Sequence, residues 1–290
     1  MEQTHVYPHA GLRPQAVNLH ILTRCSDGGF TPRQIVEKAL ENRLDLISIT
    51  DHDTVEAYRY LSKSQIPLRL LPGLEFSSTW DGNDIHVLGF GIDIHNQQLL
   101  EILHWMSEGR KTRAQKMLAK LKALDIKVPF ELVLSFAGEK KLIVRPHIAQ
   151  ALLSLGYVKS RQEAFEKYIG NDKPAYVPKP ILPTPEVIDY IHAATGVAVL
   201  AHPGKLKQFN YLQDFVKAGL DGLEVWHPDH ADWQIMELTN LAERFGLLKT
   251  GGSDFHGEQD IHNYFGAVPV SDEILKDVDK IWNNYLCHNN

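Results

Sequence analysis

Cysteine is almost absent: Cys25 and Cys287 are the only two in 290 residues. A pair so placed gives neither a disulfide framework nor a cysteine-based zinc motif. Long apolar runs are missing too, and none nears the roughly 18 residues a membrane span needs. The N-terminal stretch MEQTHVYPHAGLRPQ lacks the basic-then-apolar order of a signal peptide. A soluble, reducing, cytoplasmic setting is therefore expected, with no membrane and no protein partner. Basic excess is absent, and a net charge of −6 argues against a general nucleic-acid binder. There is no internal repeat, no low-complexity tract and no triad-like serine or cysteine nucleophile.

What is present is alternation. Short β-branched runs read as strands: VNLHIL (17–22), DLISIT (45–50), LRLLPGLEFSSTW (68–80), DIHVLGFG (84–91), VAVLAHP (197–203), GLEVWHP (222–228) and LLKTGGSD (247–254). Amphipathic helices lie between most of them. One is PRQIVEKALENR, which Thr31 can cap and whose first turn suits Pro32. DGND (81–84) is a hairpin signal. The pattern predicts a largely parallel α/β sheet, open or closed into a barrel. Residues 97 to about 170 break the rhythm and read as all-helical, opening on a long helix near 97–124. The proline-rich KPAYVPKPILPTP (173–185) then restores it. The expected organisation is a metal-binding barrel from 1–96 and 181–290, with a helical insertion at 97–180. Charge divides the same way. Residues 97–180 carry 15 Lys and Arg against 8 Asp and Glu, a balance of +7, and the remainder carries −13.

Chemistry gathers at strand ends: His20; Asp51, His52 and Asp53 in TDHD; Glu75 in GLE; His86 in DIHVLGFG; His202 in LAHP; Asp254 and His256 in GSDFH. The carboxyl ends of strands converge on one site in barrels and doubly wound sheets. Gathering imidazoles and carboxylates there is unfavourable unless a cation compensates. Any one of these residues alone reads as a turn, cap or core group; the joint pattern predicts a metal cluster. His227 and His230, in EVWHPDH, are candidates for touching substrate. His5, His9, His95, His104, His192, His262 and His288 read as ordinary surface or packing residues.

The series LH-x-x-TRCSDG, TDHD, PGLE, IHVLGF, AHP and GSDFH resembles the PHP (polymerase and histidinol phosphatase) metallophosphoesterases, over nearly the whole chain. VRPH (144–147) and KPAYVP (173–178) resemble the subgroup of 3′,5′-nucleotide bisphosphate phosphatases and 5′-to-3′ exoribonucleases. The resemblance implies a distorted (β/α)7 barrel with an inserted helical domain. It also implies two or three divalent ions per chain, with manganese favoured over iron or zinc. One ion would take His20, Glu75 and Asp254. A second would take Glu75, His86 and His202. A third would take Asp27, His52 and His256. A metal-activated hydroxide would attack phosphate esters of nucleotides or short 5′-phosphorylated RNA. Arg145, with its planar fork, would bind the terminal phosphate, and His147 would assist near the leaving group.

The chain departs from that pattern in one place. The family reads Asp-Leu-His-x-His where this chain has Asn18-Leu19-His20-Ile21-Leu22. Leu22 removes a ligand of the first ion. Asn18 replaces an acid expected to orient a ligand histidine, a loss that typically costs about 10–100-fold in affinity or activity. Reduced activity is therefore expected, with a catalytically weakened nucleotide- or RNA-binding protein as one alternative. A metal-dependent amidohydrolase is another, although the chain offers no clear bridging lysine. Arg110, Lys111, Arg113, Lys116, Lys120 and Lys122 read mainly as a solvated basic helix, since they cover more than one helical face.

Overall fold

The computed structural model describes residues 15–61, 66–137, 143–179, 181–206, 211–258 and 261–289. His5 and His9 lie outside them. Strand β1 (Val17–Ile21) is buried throughout. It pairs in parallel with β2 (Leu46–Ile49), which pairs in parallel with β3 (Arg69–Leu70). Between β1 and β2 runs α1 (Pro32–Glu41), where Thr31 accepts from the Gln34 N–H and Gln34 reaches back to Thr31, closing a capping box. Helix α2 (Glu56–Leu61) follows β2.

A second sheet joins β4 (Gly73–Trp80), β5 (Asn83–Phe90), β6 (Leu182–Pro183), β7 (Val197–Leu200), β8 (Gly222–Trp226) and β9 (Leu248–Gly251) in the order β6-β4-β5-β7-β8-β9. Among the described strands the pairing is largely parallel, as expected, and β5 alone runs antiparallel to its neighbours. Asp81 and Gly82 both take positive φ and make a two-residue hairpin turn, so the chain reverses without a crossover helix. The ladders form two sheets rather than one closed ring. Two isolated parallel bridges, Ile21 with Phe255 and His52 with Glu75, link them.

Helices α7 (Thr184–Ala193), α8 (Leu212–Lys217), α9 (Asp232–Phe245) and α10 (Asp272–Asn289) complete this part. Its core buries Phe76, Phe90, Phe215, Phe255 and Trp282 almost completely. Each such side chain contributes about 1.5–3 kcal/mol. A separate apolar cluster draws on Ala114 to Ala175, from α3 (Gln97–Lys122), α4 (Phe130–Ala137), α5 (Arg145–Ser154) and α6 (Arg161–Ala164). Helix α3 spans both clusters: Leu99, Leu103 and Met106 belong to the first, and Met117, Leu118 and Leu121 to the second. Arg110 and Arg113 continue the same buried stripe at the junction.

Among the described residues, no helix is long and apolar enough to cross a membrane.

Candidate metal centre

Glu75, on the inward face of β4, is 1% exposed and sits at the middle of the strand-end residues. Its Oε1 lies 2.8 Å from His86 Nδ1 and 3.0 Å from His202 Nε2. Its Oε2 lies 3.1 Å from His52 Nδ1 and 3.3 Å from His20 Nε2. His20 Nε2 is also 3.2 Å from Asp254 Oδ1. Asp27 stands opposite, 4.0 Å from His52 Nε2 and 3.8 Å from His256 Nε2. The structure thus brings together all eight residues expected there: His20, Asp27, His52, Glu75, His86, His202, Asp254 and His256. His20, Glu75 and Asp254 form one donor set with metal-like spacing, and Asp27, His52 and His256 form another. A third set joins Glu75 and His86 with His52 where His202 was expected, although His202 reaches the same Glu75 oxygen as His86.

The donors suit a cation. His20 Nε2, Asp27 Oδ1, His52 Nδ1 and Glu75 Oε2 are buried and have no hydrogen-bond partner among the described residues. Buried polar atoms are rarely left so, and here imidazole nitrogens and carboxylate oxygens stand 3.1–3.3 Å apart without hydrogen-bond geometry. Imidazole and carboxylate donors without thiolate fit Mn, Fe or Zn. Without a cation the charges lean on each other. Burial opposes ionisation of His20, but Glu224, Asp254 and Glu75 raise its pKa well above the usual histidine range. Burial likewise opposes the Glu75 carboxylate, yet His52, His86 and His20 hold it well below the ordinary range.

Local structure fixes these positions. TDHD divides its labour. Asp51 accepts from the Thr23 N–H, the Thr23 hydroxyl and the Ser26 hydroxyl, stapling the loop that carries Asp27. Asp53 accepts from the Ser77 N–H and pairs with Arg110 of α3. Only His52 turns into the centre. His202, Asp254 and Asp53 all adopt left-handed backbone. Such strain persists where surrounding bonds over-determine it, and Glu224 supplies one by accepting the His202 N–H at 2.7 Å. A β-carbon on Gly252 would collide with His20, so glycine allows the loop after β9 to close on β1.

Glu224 was not among the expected site residues. It is fully buried on β8, and its Oε1 holds His20 Nδ1 at 3.0 Å. That bond aims Nε2 at the centre. The acid that orients His20 is thus Glu224. Asn18 instead donates to Ser253 Oγ and the Gly266 carbonyl and accepts from the Ser253 N–H, tying down the Asp254 loop. The signal for Glu224 was a lone carboxylate in an otherwise apolar strand, GLEVW. Leu22 is wholly buried, with its N–H bonded to Phe255 O.

His262 needs correction as well. It lies 3.2 Å from Asp254 Oδ2 and 2.9 Å from Asp229 Oδ2, inside the site and not at an indifferent surface. His227 Nε2 is 3.3 Å from Asp254 Oδ2. His230 faces away, with ring nitrogens on the Val225 carbonyl and the Gly204 N–H. His95, His104 and His288 are exposed, and His192 pairs with Asp221.

In the helical region, Lys111, Lys116, Lys120 and Lys122 are exposed, but Arg110 and Arg113 are buried. Burial, then repulsion from Arg145 and Arg110, pulls the Arg113 guanidinium down to about 10. Arg145 donates to Asn171 Oδ1 at 2.8 Å and lies over the Phe165 and Tyr176 rings. His147 Nδ1 accepts the Val144 N–H, which leaves the ring proton on Nε2. Burial lowers its pKa, partly offset by the field of Asp27.

A 5′-3′ exoribonuclease Rnm of Escherichia coli is 34% identical over 255 residues, covering 82% of this chain and 84% of the relative. The chain belongs to the PHP family of metal-dependent phosphoesterases. A 3′,5′-nucleoside bisphosphate phosphatase of Chromobacterium violaceum is 32% identical over 91% of this chain and 96% of that one. A solved structure from Bifidobacterium adolescentis, assigned as a metal-dependent phosphoesterase, superposes with a TM-score of 0.82 at 33% identity, over 93% of this chain and 96% of that one. No family model matches. For a PHP protein the donor sets around Glu75 are the natural seat of divalent ions.

Proposed function

We propose that the chain is a metal-dependent phosphoesterase that hydrolyses 3′,5′-bisphosphorylated nucleotides or short 5′-phosphorylated RNA. The observation that carries this reading is the set of unpartnered buried donors around Glu75, facing a helical region that turns arginines inward. Glu75, His86 and His202, and Asp27, His52 and His256, would hold ions, with manganese the first candidate; His20, Glu75 and Asp254 form the remaining seat, the one that Leu22 weakens. When bound there, divalent ions would supply positive charge against the phosphoryl group and would lower the pKa of a water from about 15.7 towards 7.

The chain's own residues do the rest. Arg145 grips the terminal phosphate with a fork that Asn171 and the Phe165 and Tyr176 rings hold flat. Arg113 adds a second cation beside it. His147, neutral and carrying its proton on Nε2, donates a hydrogen bond near the leaving oxygen. Residues 97–180 form a substrate-capping insertion in a distorted (β/α)7 barrel. The two bridges between the sheets and the separate apolar cluster of α3 to α6 support that architecture.

Leu22 favours one second reading, a nucleotide-binding protein with little turnover. Hydrolysis of adenosine 3′,5′-bisphosphate and of a short 5′-phosphorylated RNA, with Mn²⁺, is measured in the chain as given and in Asn18→Asp, Leu22→His. Turnover in both is expected, faster in the double variant. Turnover only in the double variant means the binding protein. Turnover in neither overturns the phosphoesterase.

A further inference from the structure

The donor set of His20, Glu75 and Asp254 is the most buried of the three. An ion held by three side chains there must complete its coordination with water or substrate oxygen. Leu22, just past the end of β1 and two residues on from His20, is a fully buried hydrocarbon that offers no ligand atom. The other two sets include partly exposed residues, which leaves them open to such oxygens.

Positive charge is nevertheless built in beside this set. Lys205 Nζ lies 3.3 Å from Asp254 Oδ2 and 3.0 Å from Asp229 Oδ2. His227, Asp229 and His262 have metal-like spacing, but the ammonium already bridges Asp229 to Asp254. The rings also have other work. His227 Nδ1 accepts the Asp229 N–H, so its proton sits on Nε2, facing Asp254. An ammonium has three donors. Two are committed to carboxylates, and the side chain is 35% exposed, so the third opens outward.

We propose that this chain works with two divalent ions and that Lys205 stands in for a third. Its ammonium supplies fixed positive charge beside Asp254 and donates its remaining N–H to a phosphoryl oxygen. The idea rests on the phosphoesterase reading and makes Lys205 a substrate-binding residue. It explains how a fully buried donor set stays useful.

The test is metal analysis and calorimetric binding of inorganic phosphate to the Mn²⁺-loaded protein. The chain as given should hold two equivalents of metal, and Leu22→His should hold three. Lys205→Gln should weaken phosphate binding about tenfold or more in the chain as given, and less than threefold in the Leu22→His background. Lys205→Arg should keep most of the affinity. Three equivalents in the chain as given, or equal losses from Lys205→Gln in both backgrounds, overturn the proposal. Should Leu22→His fail to fold, two equivalents with Arg rescuing and Gln not rescuing supports it; two equivalents with Arg and Gln equally harmful, or equally harmless, overturns it. Turnover of the bisphosphate with unchanged phosphate binding in Lys205→Gln defeats this inference alone. Absence of turnover in every variant defeats the functional reading instead.

Discussion

The strand-end centre and the helical region solve opposite electrostatic problems. Around Glu75, carboxylates and imidazoles are packed at burial levels where each would be costly alone. Around Arg113 the excess is positive: Arg110, Arg113, Arg145 and Lys179 crowd one another, and burial and mutual repulsion lower Arg113 and Lys179. The contact between Arg110 and Asp53 joins the two regions. One region concentrates carboxylates and imidazoles, and the other concentrates positive charge; under the proposed function a phosphate ester between them would satisfy both.

That contrast can be broken at its acidic end first. Glu75→Gln removes the carboxylate that four imidazoles share and leaves buried donors uncompensated. Metal content should drop, and kcat/KM should fall about a thousandfold or more, ~4 kcal/mol. Metal analysis beside steady-state kinetics checks this. Arg145→Ala acts at the basic end: KM should rise about 10–100-fold, with metal content unchanged. A loss of metal in that variant would erase the division of labour.

Removing metal separates the regions by pH. The His20 pKa is raised on folding, so the stability it gives is full below its unfolded value of about 6.5 and is lost as pH rises through the folded one. Metal-free protein should therefore melt at progressively lower temperature on the alkaline side. Manganese-loaded protein should show a smaller loss, because cations held through Glu75 take up part of the negative charge that otherwise raises His20. Thermal scans from pH 6 upward, with and without Mn²⁺, read this out. The smallest effect is expected from Lys116→Ala, on the exposed face of α3. It should change KM less than twofold and stability by within about 0.5 kcal/mol. A tenfold rise in KM would mean that the outer face also binds substrate.

Much of the centre was legible because His20, His52, His202 and Asp254 lie at or just past the ends of strands, and strands are readable from β-branched runs; Glu75 and His86 lie within β4 and β5. The helical region was less so. Arg110 and Arg113 fall on the stripe of Leu103, Met106, Met117 and Leu121, a 3–4 spacing that marks a buried face. Counting charges along the sequence hid that spacing, and the basic run read as solvated. Glu224 was passed over because it lies inside a strand, where a lone acid carries no motif. His262 stands eight residues beyond Asp254, and only loop closure returns it to the carboxylate.

The sequence by itself determined the alternation of strands and helices, the hairpin at Asp81-Gly82 and the identity of the donors, because these depend on local backbone preference and residue chemistry. The tertiary structure decided which donors share an oxygen, that Glu224 and not residue 18 aims His20, and that Lys205 faces Asp254. Those depend on distances between segments up to about two hundred residues apart, and packing alone sets such distances.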